Sequence, residues 1–298
     1  PCASTRCEAA SRHFRRCPFT AILRSDCELV LTFAARLQYL ADGALLASSL
    51  RQRPYLSLTL AASSYLRDLA LEQQPTLDPA SVVLCRPGVD LAALAPLSSL
   101  ERAAVKHTLL RVGADVVVVL VDPLSSPAAS SAAQLVAASL RQLGNYTAAD
   151  AVFLLPETNG TASAVDKKAD ALVPDRRSSE EAGLPLFRFP PANATEAFAS
   201  ADVFLTLTSF DGYSSTVGRA MALSLPVVAP DAGAAPEQLG GESGDNPALD
   251  DAGGILVSLS SSEMGIIEAK AAALHALVRQ PELRARLGAA ARRKVETG

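Results

Sequence analysis

The chain has 298 residues, 49% of them hydrophobic and 19% charged, which is enough apolar material for a sizeable core and excludes general disorder. A net charge of −4 and a pI near 5.5 leave no dominant basic face, so an ordinary nucleic-acid binder is excluded. No apolar run approaches the roughly 20 residues that span a bilayer, and with no Trp and 5% aromatics the packing falls to Ala, Leu and Val.

Residues 1–30 are charge-mixed and carry four of the five cysteines, Cys2, Cys7, Cys17 and Cys27; the fifth is Cys85. No C-x2-C pair occurs and His13 stands alone, so the spacing fits no zinc site; free thiols and disulfides both stay open. The segment lacks the apolar stretch of a signal peptide and does not start with Met, as in a fragment or a processed chain. Leu and Ala recur at helical spacing over 31–50. A strand is expected over Leu56–Leu60, a helix capped by Ser63 over Ser63–Glu72, a strand over Ser81–Cys85, and a helix over Ser98–Val112 with Ser98 or Ser99 as its cap.

Ala114–Val121 is apolar on both faces, the signature of a central parallel strand. After it the expected order is helix Ser130–Leu143, strand Ala151–Leu155, a helix containing Lys167–Leu172, strand Pro185–Phe189, helix Ala194–Ser200 and strand Val203–Leu207. A polar turn with Gly212 then opens a small-residue helix, followed by strand Pro226–Ala229, a polar, acidic, Gly-rich surface loop over Gly240–Gly254, strand Gly254–Val257, and helices Ser262–Val278 and Pro281–Val295. Arg292, Arg293 and Lys294 read as a solvated last helical turn. This alternation means βαβ units: an α/β fold, a Rossmann-like parallel sheet with helices on both faces, preceded by a short incomplete N-terminal portion. The expected organisation is a lead-in or remnant over 1–50, the end of an N-terminal domain with its linker over 51–110, and a Rossmann-like domain over 111–298.

Three of the four Asn lie in N-x-[ST] sequons, at Asn145, Asn159 and Asn193, which points toward a secretory-pathway lumen. No G-x-S-x-G, G-x-G-x-x-G or P-loop occurs, so triad hydrolase, dinucleotide and ATP chemistries have no support. His107 and His275 read as helix residues. In an open parallel sheet ligands bind past the carboxyl ends of the strands, where helix N-termini present N–H groups to anions. The turn from Asp211 to Thr216, with Gly212, Ser214 and Ser215, has that setting, and Gly233 and Glu237 follow the next strand.

Several positions in order resemble the retaining nucleotide-sugar glycosyltransferases of GT-B fold, over roughly 60–298. Ala62-Ser63-Ser64-Tyr65-Leu66 is similar to the helix start after the last N-domain strand of that family. Pro87-Gly88-Val89-Asp90 resembles its Asn-Gly-Val-Asp turn, and Ala201-Asp202-Val203-Phe204 its "aDvfv" strand. Ala220-Met221-Ala222 with Leu225-Pro226-Val227-Val228 is similar to "EAMAcGlPVV", Gly233 to Glu237 to "GGxxE", and Leu283–Gly288 to part of its final helices. The resemblance implies a nucleotide-sugar donor as substrate, an unidentified acceptor, no metal and no other cofactor. It makes Asp211 and Glu237 the sugar-orienting acids, with Gly212, Ser214, Ser215, Thr216, Arg219 and Gly233 around the donor.

Two departures weigh against turnover. The family's E-x7-E acids become Asp211 and Arg219, and a guanidinium donates where a ribose hydroxyl needs an acceptor. The family's Arg and Lys-Gly, which neutralise the diphosphate, fall on Val121–Ala129, where Asp122 stands instead; Lys167 or Arg188 are the candidate substitutes. Some 60–110 residues precede the expected C-terminal domain, too few for an acceptor-binding domain, which a longer product or a partner chain would supply. Three readings follow: a hexose transferase or its donor-binding half, a non-catalytic relative of the same fold, and another GT-B enzyme such as a nucleotide-sugar epimerase.

Overall fold

The computed structural model describes residues 59–298 except 74, 77, 123–126, 158–164, 167–170, 208–212, 241–251, 261 and 298. The expected lead-in and the helix over 31–50 lie outside the described residues, as do Cys2, Cys7, Cys17 and Cys27. The first elements are β1 (Thr59–Ala61), α1 (Ser64–Gln73) and β2 (Val82–Leu84), followed by α2 (Ser99–Leu110), β3 (Val117–Val121), α3 (Pro127–Gly144) and β4 (Ala151–Pro156). Next come β5 (Val165–Asp166), β6 (Ala171–Leu172), α4 (Arg176–Ala182), β7 (Leu186–Phe189), α5 (Ala194–Ser200) and β8 (Val203–Leu205). The chain then runs through α6 (Ser215–Ala222), β9 (Val227–Pro230), α7 (Ala235–Leu239), β10 (Gly254–Val257), α8 (Glu263–Arg279) and α9 (Pro281–Thr297).

Two expectations are corrected. Arg292, read as part of a solvated helical turn, is largely buried and donates to the Leu94 and Ala222 carbonyls. Ala171 and Leu172, assigned to a helix from the sequence, form a strand antiparallel to Val165 and Asp166. Pro174 bridges to Phe187, and a proline biases the residues before it toward extended backbone. Leu172 is thereby buried.

The described residues fall into two compact units. In the first, β1 and β2 pair in parallel with Thr59 opposite Val82, and α1 covers them. Its small core joins Ala61, Ala62, Leu66 and Val82, with Tyr65 and Tyr213 against it. Ser63 caps α1, its hydroxyl accepting from the Leu66 N–H at 3.1 Å. Ala232–Glu237 belongs to this unit as well.

The second unit holds a six-stranded sheet in the order β10-β9-β8-β3-β4-β7, parallel throughout. Its centre is β3, five residues without a polar side chain and all buried, because helices cover both faces of the sheet. Val117, Val119 and Val121 share one core with Val136 and Leu140 of α3 and with Ile267, Ala271 and Leu274 of α8. On β8, Phe204 alternates with the core residues Val203 and Leu205 and stacks on Phe198 of α5, with ring centroids 5.8 Å apart. Helix α2 starts with a full capping box: the Ser98 hydroxyl accepts from the Glu101 N–H, and the Glu101 carboxylate accepts from the Ser98 N–H at 2.9 Å. Gly288 of α9 lies where a side chain would strike the Ser224 carbonyl, so a glycine is needed for this approach. No helix among the described residues is long and apolar enough to cross a membrane. Asn145 is exposed and Asn193 half-buried; Asn159 lies outside the described residues.

Candidate functional site

The first unit holds Glu237, a candidate site residue. Its Oε2 accepts from the Ser64 N–H at 2.8 Å, at the first turn of α1, where the helix dipole favours an anion. Its Oε1 accepts from Arg86 Nε at 2.8 Å and Nη2 at 2.6 Å, and from the Ser64 hydroxyl at 3.4 Å. A carboxylate has about four lone-pair positions, and most are taken here. Glu237 can meet a sugar hydroxyl only by giving up one of these donors. Arg86 was not singled out from the sequence; the only signal for it was a base directly before Pro87-Gly88. Gly233 has φ +61, a left-handed turn that favours glycine, and this sets the entry into α7. Ser214 of the same unit is buried.

In the second unit the candidate site is the carboxyl edge of β3, β8 and β9. Asp122 follows the last residue of β3 and is fully buried, its N–H donating to the Leu205 carbonyl at 2.9 Å. Its Oδ1 accepts from the Thr216 hydroxyl at 3.1 Å, so the first turn of α6 leans on the end of β3. The buried Thr206 follows β8, and Asp231 follows β9. Lys270 of α8 reaches the same edge: it is 97% buried by its 3% exposure, and its Nζ donates to the Leu207 carbonyl at 3.3 Å. Burial pushes its ammonium down from 10.5 to about 8. Lys270 was also missed in the sequence, where its only mark is a charge on the Ile267, Ala271, Leu274 stripe of α8.

The other residues chosen from the sequence are placed as follows. Arg219 is exposed, with its guanidinium 5.5 Å from the centre of the Phe198 ring, a cation–π contact on the α5 side. Ser215 is exposed and Thr216 half-buried. Asp211 and Gly212 lie outside the described residues, and so does Lys167. Arg188 lies on the outer strand β7 and pairs with Asp175 at 2.9 Å. Burial alone would raise the Asp175 carboxyl, but hydrogen bonds from Arg188 and Ser178 outweigh it and hold the group below its usual range. Arg188 is therefore occupied two strands away from β3.

A cavity of about 280 Å³ lies elsewhere, lined by Arg102, Lys106 and Asp202 among others. Asp202 precedes β8, so this cavity belongs to the amino edge of the sheet, away from the strand ends that bind ligands in such folds. Among the described residues, no group of three or more His, Cys, Asp or Glu is placed to hold a metal ion.

No protein-family model matches the chain, and no curated protein matches it. Solved structures do. Anabaena HepE, in complex with UDP and glucose, aligns over 86% of this chain and 63% of its own, with TM-score 0.59 and 15% identity. The fold is that of the GT-B glycosyltransferases. A glycosyltransferase from Rickettsia africae aligns over 81% of this chain and 59% of its own, with TM-score 0.56 and 16% identity. The sucrose-phosphate synthase of Thermosynechococcus elongatus gives 83%, 56%, TM-score 0.56 and 15% identity. The chain thus spans 63% or less of the length of these GT-B structures.

Proposed function

We propose that this chain is the donor-binding part of a glycosyltransferase that moves a hexose from a nucleotide-sugar to an acceptor with retention of configuration. The observation that carries this reading is the polar carboxyl edge of β3, β8 and β9, in a fold shared over 86% of the chain with a UDP- and glucose-bound neighbour. In this reading the backbone at Ser214, Ser215 and Thr216, at the start of α6, holds phosphate. Asp211 orients the sugar by accepting from its hydroxyls, and Glu237 does the same once it exchanges one of its present donors. Arg219 is a donor-binding residue in this reading, pairing with a phosphate.

Calorimetric titration with UDP, GDP and their hexose conjugates tests this. The expected result is binding of one nucleotide family, with Asp211→Ala weakening the hexose conjugate roughly tenfold and leaving the bare nucleotide unchanged. No binding of any of them at millimolar concentration would overturn the reading. A specific observation favours a second one, a binding module without turnover. The carboxylate of Glu237 is already committed to Arg86 and Ser64, and no carboxylate stands at Arg219. Donor binding without transfer to any of a panel of acceptors, and without hydrolysis, would select it.

A further inference from the structure

Two lysines are buried in the second unit, and they differ in one respect. Lys106 of α2 donates to the Ala114 carbonyl at 3.1 Å and the Val116 carbonyl at 2.8 Å, and pairs with Asp202 at 2.6 Å. Its three N–H donors meet three acceptors, one of them a carboxylate. Lys270 is as deeply buried, yet among the described residues its amine meets one acceptor, the Leu207 carbonyl, at the long distance of 3.3 Å. No carboxylate pairs with it among the described residues. Among the described residues two of its donors and its charge meet no partner, a costly arrangement for a buried ammonium.

Its position is specific. Lys270 lies on the buried stripe of α8 with Ile267, Ala271 and Leu274, and its amine meets the carbonyl of the partly buried Leu207. Leu207 lies two residues past β8, on the edge that also carries Asp122, Thr206 and Thr216. This cation comes from a helix late in the chain and meets the segment that follows β8.

We propose that Lys270 is the cation that holds the diphosphate of a bound nucleotide, in place of bases supplied from the loop after β3. The inference rests on the donor-binding reading above and adds to it the residue that neutralises the anion. An oxyanion supplies both the acceptors and the countercharge that the described residues do not give this amine.

The test is calorimetric titration of UDP and, separately, inorganic pyrophosphate into the wild type, Lys270→Met and Lys270→Arg, with a thermal melt of each. The expected result is a Kd for both ligands raised roughly tenfold or more in Lys270→Met and partly restored in Lys270→Arg, with Lys270→Met melting higher than wild type. A lysine that merely fills space would not combine higher stability with weaker anion binding. Equal UDP affinity in wild type and Lys270→Met overturns the role of Lys270 and leaves the donor-binding reading standing. Lys270-dependent binding of pyrophosphate with no preference for UDP keeps the anion site and overturns the nucleotide reading. Binding of neither ligand to the wild type overturns both.

Discussion

Removing the charge of Lys270 should stabilise the protein, by an amount that depends on pH in a known direction. In the folded chain burial lowers the ammonium from 10.5 to about 8. The unfolded chain therefore holds more protons between these two values, and stability rises with pH across that window. Below pH 8 both states are protonated and the penalty is complete; above 10.5 both are neutral and it vanishes. About 2.5 pKa units at 1.36 kcal/mol each give about 3 kcal/mol at neutral pH, falling below about 1 kcal/mol at pH 10. Urea denaturation of wild type and Lys270→Met at pH 7 and pH 10 reads this as a difference of differences. The comparison cancels groups common to both proteins, such as Tyr146, whose hydroxyl burial holds above its ordinary value. It also cancels any fixed gain from packing a methionine. A gap between the two proteins that stays constant across the two pH values would refute the argument that Lys270 is charged and uncompensated.

Three more substitutions test separate joints of the structure. Glu237→Ala leaves the Ser64 N–H and Arg86 without their acceptor and should cost about 2 kcal/mol in urea denaturation, with Glu237→Gln costing roughly half of that. Thr216→Val keeps the shape but takes a hydroxyl from the buried Asp122 carboxylate, and should cost about 2 kcal/mol by the same measurement. Ser224 has φ +58 in the turn between α6 and β9, where the resembled family carries glycine. Ser224→Gly should stabilise by about 0.5–1 kcal/mol, read as a rise of about 2 °C in Tm.

Elements whose signals are local were legible in the sequence. The β3 run shows itself by being apolar at every position, since a strand covered on both faces has no side facing water. Gly254–Val257 and the Ser98 cap match their expected residues for similar local reasons. Helix α4 was missed because Arg176–Ala182 is polar almost all round and has no stripe to detect. Its ends did carry a signal: Asp175 accepts from the Ser178 N–H, and Gly183 closes the helix at φ +69. The β6 strand was misread because two residues are too few to show a period, and its reason for being extended lies downstream, at Pro174.

The buried lysines were illegible for a different reason. The resembled family keeps its positive charge in the segment after β3, where this chain has Asp122. Electrostatic stabilisation depends on where a charge stands in space, not on the element that brings it. Lys106 and Lys270 look alike in sequence, each a lysine interrupting the apolar face of a helix. The topology separates them. Helix α2 carries Lys106 to the amino edge of the sheet, where Asp202 and two carbonyls answer it and the charge is structural. Helix α8 carries Lys270 to the carboxyl edge, where parallel sheets bind their ligands, and there a single carbonyl answers it among the described residues. Of two equally buried charges, the one that meets no countercharge among the described residues, on the edge where such sheets bind ligands, is the one we assign to a ligand.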